Sequence, residues 1–423
     1  MIIIKPVNFA RRLFSQPRIP REYRRNFIHL FFDIAWFGIL SGSAINFLAV
    51  YAARLGASGF QIGLIGAVPA VVSLALSIPT GVWLEKRPVE RAVFWTAYAY
   101  RLGYFLWIPL PWLLGNQGQI WALIAITLLM GIPLSALGMG FNALFAAAVP
   151  PEWRAYVAGT RNVLQAVSFM AASLGCGYLL DHVPFPLGYQ IVFGIGFLGA
   201  AMSTFHLTFI KPLPPQVPAE GQSPVEKPAQ PPRQDWRASL RLDIWKTGFR
   251  STLLVLLGFH LAQYLATPLF PLYTVNVLRL NDAEIGLGMA LFYLTVFLGS
   301  TQLHRIARKL SHMKITGWGV AALSLYPIAM AFSRNAIHYF ILSAFGGFAW
   351  AMVGGAYVNY LLEKIPENDR PAHLAWYNLI LNACVLFGSL AGPFLAGFIG
   401  LGTALITIGI LRLLAGMAIL KWG

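Results

Sequence analysis

Apolar runs, each about the 20 residues that a membrane-crossing helix needs, follow one another along this chain with short polar breaks between them. In the first half they cover 27–53, 60–84, 92–114, 120–149, 157–180 and 187–210. In the second half they cover 249–275, 285–303, 315–332, 337–362, 374–399 and 403–420. Between the halves lies 211–246, rich in Pro, Gln, Glu and Lys. That composition cannot bury enough apolar surface to fold alone and predicts an extended, solvated strap. The pattern predicts an all-α membrane protein of twelve transmembrane helices in two pseudo-symmetric six-helix bundles. Its expected parts are a basic tail 1–26, a bundle 27–210, a linker 211–246 and a bundle 247–423.

Composition closes off the soluble alternatives. Of 423 residues 57% are hydrophobic and 11% charged, where soluble chains carry about 25% charge. The net charge of +16 does not imply nucleic acid, because the basic residues sit in short segments between apolar runs. Only Arg54, Arg279 and Arg334 fall on one side, and Arg101 and Arg412 lie within spans. The other basic residues, Arg161 counted among them, fall on the side of the termini and strap, which the positive-inside bias assigns to the cytoplasm of a cell membrane. The basic stretch to Arg25 precedes an apolar run too long for a signal core of about 7–15 residues, so it is expected to be a retained first span. Cys176 and Cys384 lie in apolar runs and form no disulfide framework. No metal or cofactor is expected.

The halves repeat. A shift of 216 pairs Gly131 with Gly347, Pro150 with Pro366, Arg154 with Arg370 and Asn162 with Asn378, and a shift of 223 pairs Ile62-Gly63-Leu64 with Ile285-Gly286-Leu287. Parallel six-span repeats are a known transporter plan. Together with this plan, Leu55-Gly56-Ala57-Ser58 leading into Gln61-Ile62-Gly63 resembles the major facilitator superfamily. Gly81 to Pro88 is similar to that family's Gly-x-Leu-x-Asp-Arg-x-Gly-Arg-Arg signature, with Glu85 at the acid, Lys86 at the first arginine and Pro88 at the glycine. Pro150-x3-Arg154 and Pro366-x3-Arg370 look like its connections after spans four and ten. The resemblance implies a secondary transporter working by alternating access on a small-molecule substrate, with a proton or cation as coupling ion. It is expected to be a monomer among membrane lipids, not an enzyme. A lipid or amphiphile translocator is the alternative, favoured by the 14% aromatic content. An intramembrane enzyme would need acid, His or metal groups converging at one depth, and Asp33 with His260 is a thin set. No Gly-x4-Gly-Lys-Ser/Thr run occurs to bind ATP.

In the resembled family the first and fourth spans of each half line the cavity. Cavity candidates are His260, Gln263, Tyr264 and Thr267, at helical spacing beside the kink-forming Pro268 and Pro271, with Asn142 and Asn359. Asp33 is the one acid deep in a span, and such carboxylates are paired or functional. It reads either as a coupling site or as the partner of Arg101. Glu85, Arg154, Arg370, Asn162, Asn378 and Asn382 are candidates for a gate that clasps the cytoplasmic ends. Gly388-x3-Gly392-Pro393 predicts close helix approach with a bend. Residues 237–246 read as a short amphipathic helix on the membrane surface.

Overall fold

The computed structural model describes residues 20–213, 241–366 and 369–423. The basic tail through residue 19 and the strap from 214 to 240, Arg237 included, lie outside the described residues. The rest is almost entirely helical. The first half holds α1 (Arg21–Arg54), α2 (Gly59–Glu85), α3 (Val89–Trp107), α4 (Asn116–Ala148), α5 (Pro151–His182) and α6 (Leu187–Leu207). The second holds α7 (Phe249–Val277), α8 (Asp282–Ala307), α9 in two pieces (His312–Leu323 and Leu325–Ala331), α10 (Ala336–Glu363), α11 (Arg370–Ile399) and α12 (Leu401–Trp422).

Among the described residues ten helices are long and apolar enough to cross a membrane. The two that fall short, α3 and α9, are the third of each half. α3 is 19 residues long and carries Glu90, Arg91 and Arg101, while α9 is broken at Ser324. The break has a local cause. Pro327 has no N–H to offer the Leu323 carbonyl one turn back, and the buried Arg412 of α12 donates to that carbonyl at 3.3 Å. Arg412 also donates to the carbonyls of Ala262 and Gln263 on α7, at 3.2 and 3.5 Å. A guanidinium thus ties α7, α9 and α12 together without an acid.

Helix starts follow the sequence locally. Gly56, at φ 85°, ends α1 in a conformation that suits glycine. Ser58 then opens α2 with a capping box: its side chain accepts from the Gln61 N–H, while Gln61 accepts from the Ser58 N–H. The first helix of each half carries a wide π turn, at Ser41–Ile45 and Tyr273–Val277.

Within the first half α1 packs on α5 and α6, and within the second α7 packs on α11 and α12. The halves meet through α2 against α11 and α5 against α8. Gly388 and Gly392 bring α11 onto the backbone of α7, where a Cβ on Gly392 would collide with the Leu265 carbonyl oxygen. The expected close approach is present, and Pro393 beside it touches Gly59 and Gly63 of the other half. Gly392→Val should lower the stability of the purified protein by about 1–3 kcal/mol or more, since the clash is with backbone that cannot move aside. An unchanged melting temperature would show that the helices do not pack this closely.

The ends of the strap are tied down. Asn26, buried at the start of α1, donates to the carbonyls of Ala148 and Lys211 and accepts from the Lys211 N–H. At the other end Arg241 grips Asp369 at 2.7 and 3.0 Å and also pairs with Asp243. The guanidinium holds the Asp243 carboxyl below its ordinary range. Leu242–Lys246 forms a short 3-10 turn, not the expected surface helix. Ile244 is fully buried among second-half residues, and Trp245 stands edge-on to Trp376 of α11. Ile244 and Trp245 cover a protein surface, while Leu242 stays exposed.

Candidate functional site

The most buried carboxylate among the described residues is Asp33, 3% exposed on α1. Arg161 of α5 lies 3.1 Å from one carboxylate oxygen. Arg101 of α3 lies 3.7 Å from the other, which also accepts from the Ser203 hydroxyl of α6 at 2.5 Å. Arg161 donates further to the Leu30 carbonyl, Arg101 to the Thr204 hydroxyl, and Phe141 of α4 lies under the Arg161 guanidinium at 4.8 Å. Four helices therefore meet at one carboxylate, with a fifth, α4, packed against its arginine. A buried acid held by two cations and a hydroxyl has little capacity left for a ligand. Position along the chain groups Arg161 with the loop segments, whereas it is 8% exposed inside the bundle.

The second half answers with a histidine–tyrosine cluster. His260 of α7 hydrogen-bonds the Tyr377 hydroxyl of α11 at 3.0 Å, and the Tyr357 ring of α10 stands edge-on to it at 5.7 Å. The 216-residue shift puts Tyr377 at the position of Arg161. The corresponding α1–α5 and α7–α11 contacts are thus made once by an ion pair and once by imidazole and phenol. Tyr264 is half-buried against Gly388, Gln263 is half-buried, and Thr267 is exposed with its hydroxyl on the Gln263 carbonyl. The Gln263 side-chain oxygen is buried without a hydrogen-bond partner.

The remaining candidates lie nearer the strap end. Asn142, Asn162, Asn359 and Asn378 are exposed. Asn359 donates to the Gly355 carbonyl and Asn382 to the Asn378 carbonyl, each within its own helix. Arg154 donates to the Ala146 and Val149 carbonyls that end α4, which are groups a helix leaves unpaired. Glu85 is exposed at the end of α2, and Arg370 begins α11. In this conformation the amides do not clasp one another across the halves.

The grip between the halves is at the opposite end. Arg54, closing α1, donates to the Asp282 carboxylate at 3.1 Å and to the Leu280 carbonyl at 2.5 Å. Asp181 of α5 accepts the backbone N–H groups of Asp282 and Ala283, capping α8 from the other half. Ser173 donates to the Gly286 carbonyl at 3.1 Å.

From there the halves separate. On α2, Gly63 lies so close to the Ser389 backbone that a Cβ would not fit, whereas nothing lies within 4 Å at Gly81. On α5, a Cβ on Gly177 would meet the Asp282 carbonyl at 2.9 Å, and Gly159 faces open space. Each pair is 18 residues apart, which is five turns, so both members share a helix face. Over about 27 Å of helix rise the same face passes from tight contact to none. The structure is closed at the Arg54 end and open at the strap end.

Two-fold repetition, a polar interior and an opening at one end define a transporter scaffold, and comparison with known proteins agrees. The sequence profile of the Major Facilitator Superfamily matches residues 30–379 and 252–422. The chain belongs to that superfamily and is a membrane transporter of its kind, a group that binds small-molecule substrates. No curated protein sequence matches it. Among solved structures, a bacterial homologue of the iron transporter ferroportin in an inward-facing state is similar at 14% identity and TM-score 0.72, covering 94% of this chain and 98% of its own. The nucleoside transporter NupG, in a mutant form, is similar at 13% and 0.67, covering 94% and 99%. A bacterial metal transporter is similar at 14% and 0.60, covering 96% and 99%. At these identities the likeness is one of fold.

Proposed function

We propose that the chain is a secondary transporter that moves a small hydrogen-bonding solute across the cell membrane by alternating access, with the termini and strap in the cytoplasm. The observation that carries this is the glycine contrast along α2 and α5, in which one helix face is sealed at one end and open at the other. Rocking the halves about the α2–α11 and α5–α8 contacts would exchange the open end for the closed one. The orientation rests on the crowding of Lys and Arg at the strap side. The conformation is then inward-open, with Asn162, Asn378, Asn382, Arg154, Arg370 and Glu85 placed to meet when that end shuts.

The donor set favours an organic solute over a metal cation. Thr267, Tyr264, Gln263, Asn142 and Asn359 offer hydroxyls and amides, and Asp33 is taken up by two arginines. In this reading Asp33 holds the first bundle together and is not the coupling site.

A thermal-shift screen of the purified protein against nucleosides, sugars, amino acids, lysolipids and divalent metal salts tests the reading. A true substrate at a hundredfold excess over its Kd stabilises by about 2.7 kcal/mol. That gain should fall on Thr267→Val and Asn142→Leu. Stabilisation by metal salts alone, lost on altering Asp33, would overturn the solute class. Stabilisation by lysolipids alone would favour the amphiphile translocator.

A further inference from the structure

On the outer face of the second half, α7 and α12 leave an open groove of about 780 Å³, a volume that accommodates a ligand. Its floor is formed where Gly258 faces Ala415, with room for a Cβ on the glycine at an ordinary 3.8 Å from the alanine methyl. Its walls are apolar, with Leu261 and Leu265 on one side and Leu411 and Leu414 on the other. At its strap-side mouth stand Lys421 and Trp422, the ammonium 4.9 Å above the indole. α12 takes no part in the α2–α11 and α5–α8 contacts between the halves, so an occupant here is not cargo in the central pathway.

The groove has the proportions of one leaflet. Leu411 and Lys421 are ten residues apart, about 15 Å of helix rise, which is half the roughly 30 Å hydrocarbon core. An acyl chain laid along the walls from the bilayer midplane would bring its headgroup to Lys421. Tryptophan and lysine both settle at that depth. The single charged residue in the lining is cationic. A second lateral groove, about 350 Å³ between Ile39, Val167 and Ile195, has no charged residue in its lining and so offers no headgroup selection.

We infer that the α7–α12 groove binds an anionic phospholipid of the strap-side leaflet, its acyl chain along the walls and its phosphate on Lys421. Because the walls include Ala262, whose carbonyl Arg412 holds, the lipid braces α7 just below the kink at Pro268 and Pro271.

Native mass spectrometry of the delipidated full chain, supplied with phosphatidylglycerol or phosphatidylcholine, tests this. The wild type should retain phosphatidylglycerol about five-fold more than phosphatidylcholine, the advantage of one basic residue facing an anionic lipid. Lys421→Gln should erase the preference and Lys421→Arg should keep it. Leu414→Trp, at an exposed position on the wall, should reduce retention of both lipids while the protein elutes as before. Equal retention of the two lipids by the wild type would overturn the inference. So would a preference surviving Lys421→Gln, or retention indifferent to Leu414→Trp.

Discussion

Asp33→Asn should cost the protein about 3–5 kcal/mol, because it leaves two buried guanidinium groups without their counter-charge. The measurement is thermal unfolding of purified protein. The double variant Asp33→Asn/Arg161→Gln should recover part of the loss, since one of the stranded charges is then gone. Arg101 keeps its hydrogen bond to Thr204 but stays without a counter-charge, so recovery is incomplete. If Asp33→Asn were as stable as wild type and lost substrate-driven proton flux instead, the carboxylate would be a coupling group and the clamp reading would fall.

The second large effect is on the balance between conformations. Arg54 and Asp181 hold the amino end of α8 from the opposite half. Hydrogen bonds to charged groups are worth about 1.5–3 kcal/mol, so Asp282→Ala or Arg54→Gln should move the open-to-closed ratio at that end by roughly ten- to a hundredfold. Spin labels on the first residues of α2 and α8 would report it as a new, longer distance population. Asp181→Ala removes only the cap and should shift the ratio less, by about 1 kcal/mol. Distance distributions that stay unchanged in all three variants would show that the far-end grip does not set the resting state.

Much of the architecture is legible because apolar run length and the 216-residue repeat depend on the chain alone. Partners across helices depend on rotation and are harder to see. Arg161 reads as an ordinary loop charge, yet a signal exists. Asp33 lies twelve residues into α1 and Arg161 ten residues into α5, so simple helix rise puts both at nearly one depth. Arg54, Asp181 and Asp282 give no such signal, because their meeting depends on how two halves dock. Asn26 reads as part of a basic tail, although it ties three chain segments. The Gly388-x3-Gly392 pattern is readable since small residues leave room for only one kind of neighbour, the backbone of another helix.

The break in α9 carries a last implication. Pro327 strips the Leu323 carbonyl of its usual donor, and Arg412, on a helix 85 positions further along the chain, supplies a substitute. The two residues act as one structural unit. A lineage that restored an N–H at position 327 would relax the demand on position 412, whereas losing the arginine first would strand a polar oxygen in oil. Position 327 can therefore change ahead of position 412, which still has the Ala262 and Gln263 carbonyls to satisfy.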